Sequence, residues 1–379
     1  MRIVIVGGGI GGLGAGVALR RAGHDVCVLE RAPELLPLGA GLTIQPNALR
    51  ALEQLGLADA VRARGRGFSG QIRHFRGRVL MDASAERLVR MAGELPVGVH
   101  RADLQDLLFE AVGAENVRLG AAVEGFEEGD GRIAARLAGG GEEPADVLVG
   151  ADGIRSAVRS QLLGDGAPRY AGYTCWRGVC EAGEALLEGY PGGETWGPGC
   201  RFGVVPIGSG RVYWFAVANA PEGGTDPDGG KAAVQARFAE FHAPIPALVD
   251  ATPADAIFRA DIHDRPPVPR WGAGRVTLLG DAAHAMTPNL GQGACQALED
   301  ALVLARCLDA EPGDPAAALR AYEGRRIPRA NRFVREAWRL GRLGQLEGPV
   351  ARGLRDLALR LQPPSIALGA MRWMFDFAP

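Results

Sequence analysis

The chain has 379 residues, 47% of them hydrophobic and 23% charged, and a net charge of −2, a composition suited to a globular protein long enough for two domains. So small a net charge gives no global field to attract nucleic acid or acidic lipid. One lysine, Lys231, among 42 basic residues excludes a Gly-Lys-Ser/Thr phosphate loop and argues against Schiff-base chemistry.

Six cysteines without a CxxC pair and six histidines without HxxxH or HExxH spacing argue against a metal centre or a disulfide framework. No run of 18 apolar residues predicts a membrane span. Met1 to Ala22 is glycine-rich at its centre, unlike a signal peptide. These features point to a reduced, cytoplasmic setting.

Arg2 to Val6 is a β-branched run that breaks into Gly7-Gly8-Gly9-Ile10-Gly11-Gly12. Helical spacing follows from Leu13 to Arg21, then a second strand, Asp25 to Leu29, ending in Glu30. This is a dinucleotide fingerprint: Gly7 serves the turn, Gly9 the close approach of a pyrophosphate, and Gly12 helix packing, with Glu30 placed for an adenosine ribose. The same spacing occurs at Gly9/Gly11/Gly14 and Gly65/Gly67/Gly70, but only Gly7/Gly9/Gly12 follows a strand and opens a helix.

Gly39-Ala40-Gly41 and Gln45-Pro46-Asn47 lead into a helix predicted from Pro46 to Leu55, with Pro46 at its first position and Gly56 beyond its end. His100-Arg101 opens another, where Arg101 either pairs on the surface or reaches a bound phosphate. A meander is expected over 120–137. Asp146 to Val149 reads as a buried strand running into Gly150-Ala151-Asp152-Gly153, with Arg155, Ser156 and Arg159 behind it, so charge gathers where open α/β sheets bind ligands. From Tyr170, aromatic residues and arginines intersperse short β runs separated by glycine turns, predicting an antiparallel sheet. A helix is expected from Lys231 to Phe241.

Val276 to Leu279 is a further strand, ending at Gly280-Asp281. Pro288, Gly291 and Gly293 allow a turn, and Ala294 to Leu308 forms a helix whose N-terminus suits an anion or an electron-rich ring. Arg325, Arg326, Arg329, Arg332, Arg335 and Arg339 then read as a solvated basic face, the alternative being a dimer or membrane surface. The apolar tail, Ile366 to Phe377, is expected to dock on the body. The predicted fold is α/β: a discontinuous Rossmann-like domain (1–70, 98–170 and 273–340), an inserted, mainly antiparallel β-sheet substrate domain (71–97 and 171–272) and a helical C-terminal segment (341–379).

The three glycine-and-acid signals, Gly7/Gly9/Gly12 with Glu30, Asp152-Gly153, and Gly280-Asp281 with Pro288, Gly291 and Gly293, stand in an order that resembles the single-component FAD-dependent monooxygenases of the p-hydroxybenzoate hydroxylase type. Tyr170-Ala-Gly-Tyr173, Trp176, Gly178 and the Arg201/Tyr213 spacing look most like bacterial urate hydroxylases and, more distantly, zeaxanthin epoxidases. The resemblance implies tightly bound, non-covalent FAD held by Gly7, Gly9, Ile10, Gly11, Gly12, Glu30, Arg31, Gly41, Arg101, Asp152, Gly153, Asp281, Pro288, Gly291, Gln292 and Gly293. Within that set Arg101 matches the diphosphate and ribityl side, Asp281 the ribityl chain, and residues 288–293 the isoalloxazine. It also implies transient NAD(P)H, O₂, a flavin C4a-hydroperoxide, and a small aromatic or heteroaromatic substrate, such as a urate-like ring, facing Arg201 and Tyr213. No metal, nucleic-acid partner or integral membrane segment is implied, and the enzyme would be a monomer or homodimer. His284 falls in a cofactor turn and is left out of catalysis.

Rival readings are an epoxidase, an FAD oxidase or dehydrogenase on the same scaffold, a disulfide oxidoreductase using Cys175 and Cys180, and a non-catalytic flavin-binding protein.

Overall fold

In a computed structural model, the structure describes residues 1–35, 40–129 and 132–377. Gly39, of the Gly39-Ala40-Gly41 stretch, and residues 130–131 of the expected meander lie outside them.

The first strand, Arg2–Val6, is central in a five-stranded parallel sheet. Val147–Gly150 lies on one side of it and Asp25–Leu29 on the other, and Val276–Leu278 and Val117–Arg118 form the edges. Strands covered on both faces must be apolar throughout, and Ile3, Val4, Ile5, Val147, Leu148 and Val149 are all fully buried. Parallel pairing sets the C-terminal ends of Val6, Gly150 and Leu278 side by side. The three sequence signals, about 130 residues apart along the chain, therefore emerge at one edge of the sheet.

Two helices start at that edge, Ile10–Arg21 and Gly293–Ala310, and they pack on each other through small residues. A Cβ on Gly11 would lie 3.1 Å from Ala297 Cβ, and one on Gly14 would lie 3.1 Å from Leu298 Cδ2. Such close packing needs glycine. The helices expected from Pro46, Arg101 and Lys231 are present as Pro46–Gln54, Arg101–Val112 and Gly230–Phe238.

The second layer is a seven-stranded sheet containing Phe258–Asp264, Arg169–Cys180, Val212–Asn219, Cys200–Pro206 and Gly193–Trp196, closed by the hairpin Gly70–His74 and Val79–Ala83. It is antiparallel except where Gly193–Trp196 meets Gly70–His74. One face buries Trp176, Phe202, Trp214 and Phe238 in a separate apolar core, and the other turns towards the parallel sheet.

The helix Pro315–Gly344 runs unbroken past residue 340, so the boundary expected there falls inside a helix. The arginines along it divide, against the expectation of one solvated face: Arg326 is 2% exposed and Arg329 half-buried, while Arg332, Arg335 and Arg339 are exposed. The cause is Glu299 and Asp300, whose buried carboxylates need Arg326 as a counter-charge. The tail docks through Met374 and Phe375, buried against Phe333, while Ile366 is left exposed. Among the described residues no helix is long and apolar enough to cross a membrane.

Candidate active site

Between the glycine-bearing sheet edge and the seven-stranded sheet lies a cleft of about 440 Å³. Its first wall is backbone. Gly7 has φ +109°, and a Cβ there would come within 2.4 Å of Ala151 O; a Cβ on Gly12 would sit 1.8 Å from Gly7 O. Both glycines are thus required inside the turn rather than against a ligand. Gly9 differs, because a Cβ there would meet nothing within 4 Å and would project into open space. Gly153, at φ +80°, is open in the same way. The two form an uncovered cradle beside the N-terminus of Ile10–Arg21, which has no side-chain cap and so offers free N–H groups to a diphosphate.

Glu30 ends its strand beside the turn and accepts from Gly8 N at 2.6 Å and Ala32 N at 2.9 Å. A carboxylate offers about four acceptor positions, so capacity remains for ligand hydroxyls. Gly8, not singled out in the sequence, is needed here, since a Cβ would lie 2.9 Å from Glu30 Cβ. Arg31 is exposed and, like Gly7, Gly12, Glu30 and Asp152, lies outside the cleft lining. Asp152 turns inward instead: its carboxylate accepts from Ser156 Oγ and from Ala157 N at 2.7 Å, capping the next helix. Burial raises its pKa, opposed by those hydrogen bonds. Gly153, beside it, does line the cleft.

The third turn closes the wall. Asp281 is exposed to the cleft yet walled by protein, which pushes its carboxyl pKa upward, while His284 and Arg101 pull it down. Water in the cleft screens much of this effect. Among the described residues no carboxylate ion-pairs with Arg101, which lines the cleft. Gly291 (φ +60°), Gln292 and Gly293 bring the start of Gly293–Ala310 to the cleft, again without a side-chain cap.

A buried network braces this turn from behind. Asp300 accepts from Gly280 N at 3.0 Å, His284 Nε2 at 2.6 Å and Arg326 Nε at 2.6 Å. Burial alone would raise its pKa, but His284 and Arg326 prevail and hold the carboxyl down at about 2. Glu299 joins Arg326 to Asn47, and Asn47 exchanges two hydrogen bonds with Gln292. His284 is 2% exposed and packs on Trp271, outside the cleft lining.

The second wall is made of side chains from the sheet. Cross-strand register sets Cys175, Val217 and Arg201 in one row, Arg177, Phe215 and Gly203 in the next, and Tyr213 opposite Val205. Period-two alternation turns all of these to the cleft, and all but Gly203 line it. Gly203 makes room for Phe215, whose ring would be 2.0 Å from a Cβ there. Gly41 does the same for Tyr213 at 2.4 Å. Arg201 is 1% exposed, and its guanidinium donates to Gln345 Oε1 at 2.9 Å, Glu194 Oε2 at 3.2 Å and Asn289 Oδ1 at 2.5 Å. Asn289 in turn donates to Tyr173 Oη at 2.9 Å, joining the two walls. Burial raises the Tyr213 phenol well above its ordinary pKa, opposed by Arg177.

Glu194, Phe215 and Asn289 were not singled out in the sequence, and Cys175 entered it as half of a cysteine pair rather than as a cleft residue. The alternation Tyr173-Cys175-Arg177 is the signal that would have found the strand residues. Cys175 and Cys180 fall on opposite faces of one strand, Cys180 in the separate apolar core. At about 3.3 Å per residue they are too far apart to form a disulfide.

Comparison with known proteins agrees with this geometry. The FAD binding domain family matches residues 1–337. Aurachin C monooxygenase/isomerase of Stigmatella aurantiaca is 49% identical over 100% of this chain and 99% of its own length. FAD-dependent urate hydroxylase of Klebsiella pneumoniae subsp. pneumoniae is 36% identical over 89% of this chain and 88% of its own. The crystal structure of Klebsiella pneumoniae HpxO complexed with FAD and uric acid superimposes with a TM-score of 0.92 at 33% identity, covering 99% of this chain and 96% of that one. With its open glycine cradle, two uncapped helix N-termini and family match, the chain belongs to the FAD binding domain family and is an FAD-dependent monooxygenase.

Proposed function

We propose that the enzyme inserts one oxygen atom of O₂ into a small aromatic or heteroaromatic ring, with NAD(P)H as the visiting reductant, in the cytoplasm. The observation that carries this reading is that the glycine turns and the Arg201–Tyr213 face form opposite walls of one cleft. When bound, FAD supplies electron transfer from NAD(P)H to O₂ and delivery of oxygen to the ring.

The chain's own residues bind, orient and exclude water. Gly9, Ile10 and Gly11 present the first helix N-terminus to the diphosphate, with Gly7 and Gly12 shaping the turn, Glu30 towards the ribose and Arg31 at its rim. Arg101 adds positive charge, Gly153 leaves the cofactor room, and Gly41 leaves room for Tyr213. Asp281 accepts from ribityl hydroxyls, with Asp152 fixing the loop beside it. Pro288, Gly291, Gln292 and Gly293 would hold the isoalloxazine, and the helix they open would offer the positive end of its dipole to it. Arg201 uses three of its five N–H donors on protein partners, leaving two for a carbonyl or anionic edge of the substrate. Tyr213 stays protonated and donates its hydroxyl to the same substrate. Val205, Phe215, Val217 and Met286 keep water from the reacting centre.

The relative named FAD-dependent urate hydroxylase supports a urate-like ring, and the one named aurachin C monooxygenase/isomerase makes aurachin C the second candidate. The test is NAD(P)H oxidation by the FAD-loaded enzyme against a panel of purines, phenols, hydroxypyridines and aurachin C under ¹⁸O₂. A ring that accelerates oxidation about tenfold or more and gains one ¹⁸O is the expected result. If every ring that accelerates oxidation yields only hydrogen peroxide, the proposal fails.

A further inference from the structure

The helix Pro349–Leu361 is built inside out. Val350, Leu354, Leu357 and Leu361 recur at steps of four, three and four, which places them on one face. They are 75%, 64%, 48% and 71% exposed. Its buried face is instead Arg355 and Asp356: Arg355 lies 5.0 Å over the Trp196 ring and donates to Asp356 Oδ1 at 2.9 Å and Gly344 O at 3.2 Å. Scattered exposed leucines are ordinary, but four aligned along an outer helix face form a patch.

Against that helix lies the hairpin tip Arg76-Gly77-Arg78-Val79, with Arg76, Arg78 and Val79 exposed. Between them is a hollow of about 380 Å³ lined by His74, Arg78, Arg352, Asp356, Leu357 and Arg360. Its one carboxylate, Asp356, is already paired with Arg355, so the hollow is cationic. Among the described residues Arg78, Arg352 and Arg360 make no ion pair with a carboxylate.

A cationic hollow beside an apolar ridge matches the two layers of an anionic membrane surface, phosphate headgroups over acyl chains. We propose that this face seats the enzyme on an anionic phospholipid bilayer, with Val350, Leu354, Leu357 and Leu361 entering the acyl boundary and Arg78, Arg352 and Arg360 holding headgroup phosphates. A second copy of the chain fits poorly, because an isologous contact sets the same arginines against one another. The contact is peripheral and weakens with salt.

The test is sedimentation of the full-length, FAD-loaded enzyme with vesicles of phosphatidylcholine alone or with phosphatidylglycerol added, at low and high salt. Partitioning at least tenfold stronger on the anionic vesicles, lost at high salt, is expected. Leu354→Asp with Leu357→Asp is expected to cut that partitioning about tenfold, with FAD content and NAD(P)H oxidation unchanged. Equal partitioning of the double variant, or none by the wild type, overturns the proposal. So does sedimentation velocity showing a wild-type dimer that the double variant dissolves, since the occupant would then be a second copy.

Discussion

On the glycine wall of the cleft the critical contacts are between backbone atoms, as at Gly7 with Ala151 and Gly12 with Gly7 O. On the sheet wall they are between side chains brought together from distant parts of the chain, as at Arg201 with Gln345 and Asn289. The first wall tolerates almost no substitution because its shape is the main chain itself. The second can be re-cut by changing single side chains while the scaffold stands, which explains how relatives of one fold carry different substrate names.

The sharpest way to break this contrast is Gly12→Ala. A Cβ 1.8 Å from a carbonyl oxygen cannot be accommodated without moving the helix, at a cost of more than about 4 kcal/mol. Loss of soluble, flavin-loaded protein is expected, and a normal yellow holoenzyme would refute the argument. Gly9→Ala separates the cradle from the fold. Gly9 has an ordinary φ of −77° and open space at Cβ, so the apoprotein should melt within a few degrees of wild type. FAD affinity, by fluorescence titration, should fall about 30-fold or more.

Arg201→Ala should leave FAD bound while kcat/KM for the true substrate falls about 100-fold, measured by coupled product formation. Equal loss of flavin would place Arg201 on the wrong wall. For the buried brace, Asp300 has its pKa depressed to about 2 from an ordinary 3.8. Its stabilisation, roughly 2 kcal/mol, is complete above about pH 4 and is lost as pH falls towards 2. Denaturant unfolding of wild type and Asp300→Asn should therefore show a stability gap that narrows between about pH 4 and pH 2, and a constant gap would contradict it. The smallest effect expected is that of Tyr213→Phe, about a three- to tenfold loss in kcat/KM. Because Tyr213 stays protonated, the wild-type pH profile should show no loss of activity from its ionisation below about pH 10.

The difference between the walls also decides what could be read from the sequence. Gly7/Gly9/Gly12 with Glu30, Asp152-Gly153 and Gly280-Asp281 are local spacings, each following an apolar strand, and the parallel sheet needs only adjacency to bring them together. The helices after them were legible for the same reason. Arg201 was found through resemblance, but its partner Asn289 was hidden, because nothing local ties residue 289 to residue 201. The basic stretch misled in part, since Arg326 has the same spacing as its exposed neighbours and only the distant Glu299 and Asp300 bury it. Asp152 sat in the right motif, yet its carboxylate serves Ser156 and Ala157 four and five residues on.

The edge strand Val276–Leu278 has a consequence for the life of the protein in the cell. It is the last strand of the parallel sheet to leave the ribosome, and Gly11 contacts Leu279 and Ala297 that follow it. A nascent chain ending before residue 275 holds the first two glycine turns but neither the third nor the helix that covers them. The cleft is therefore complete only once residues 276–310 have joined the first two turns.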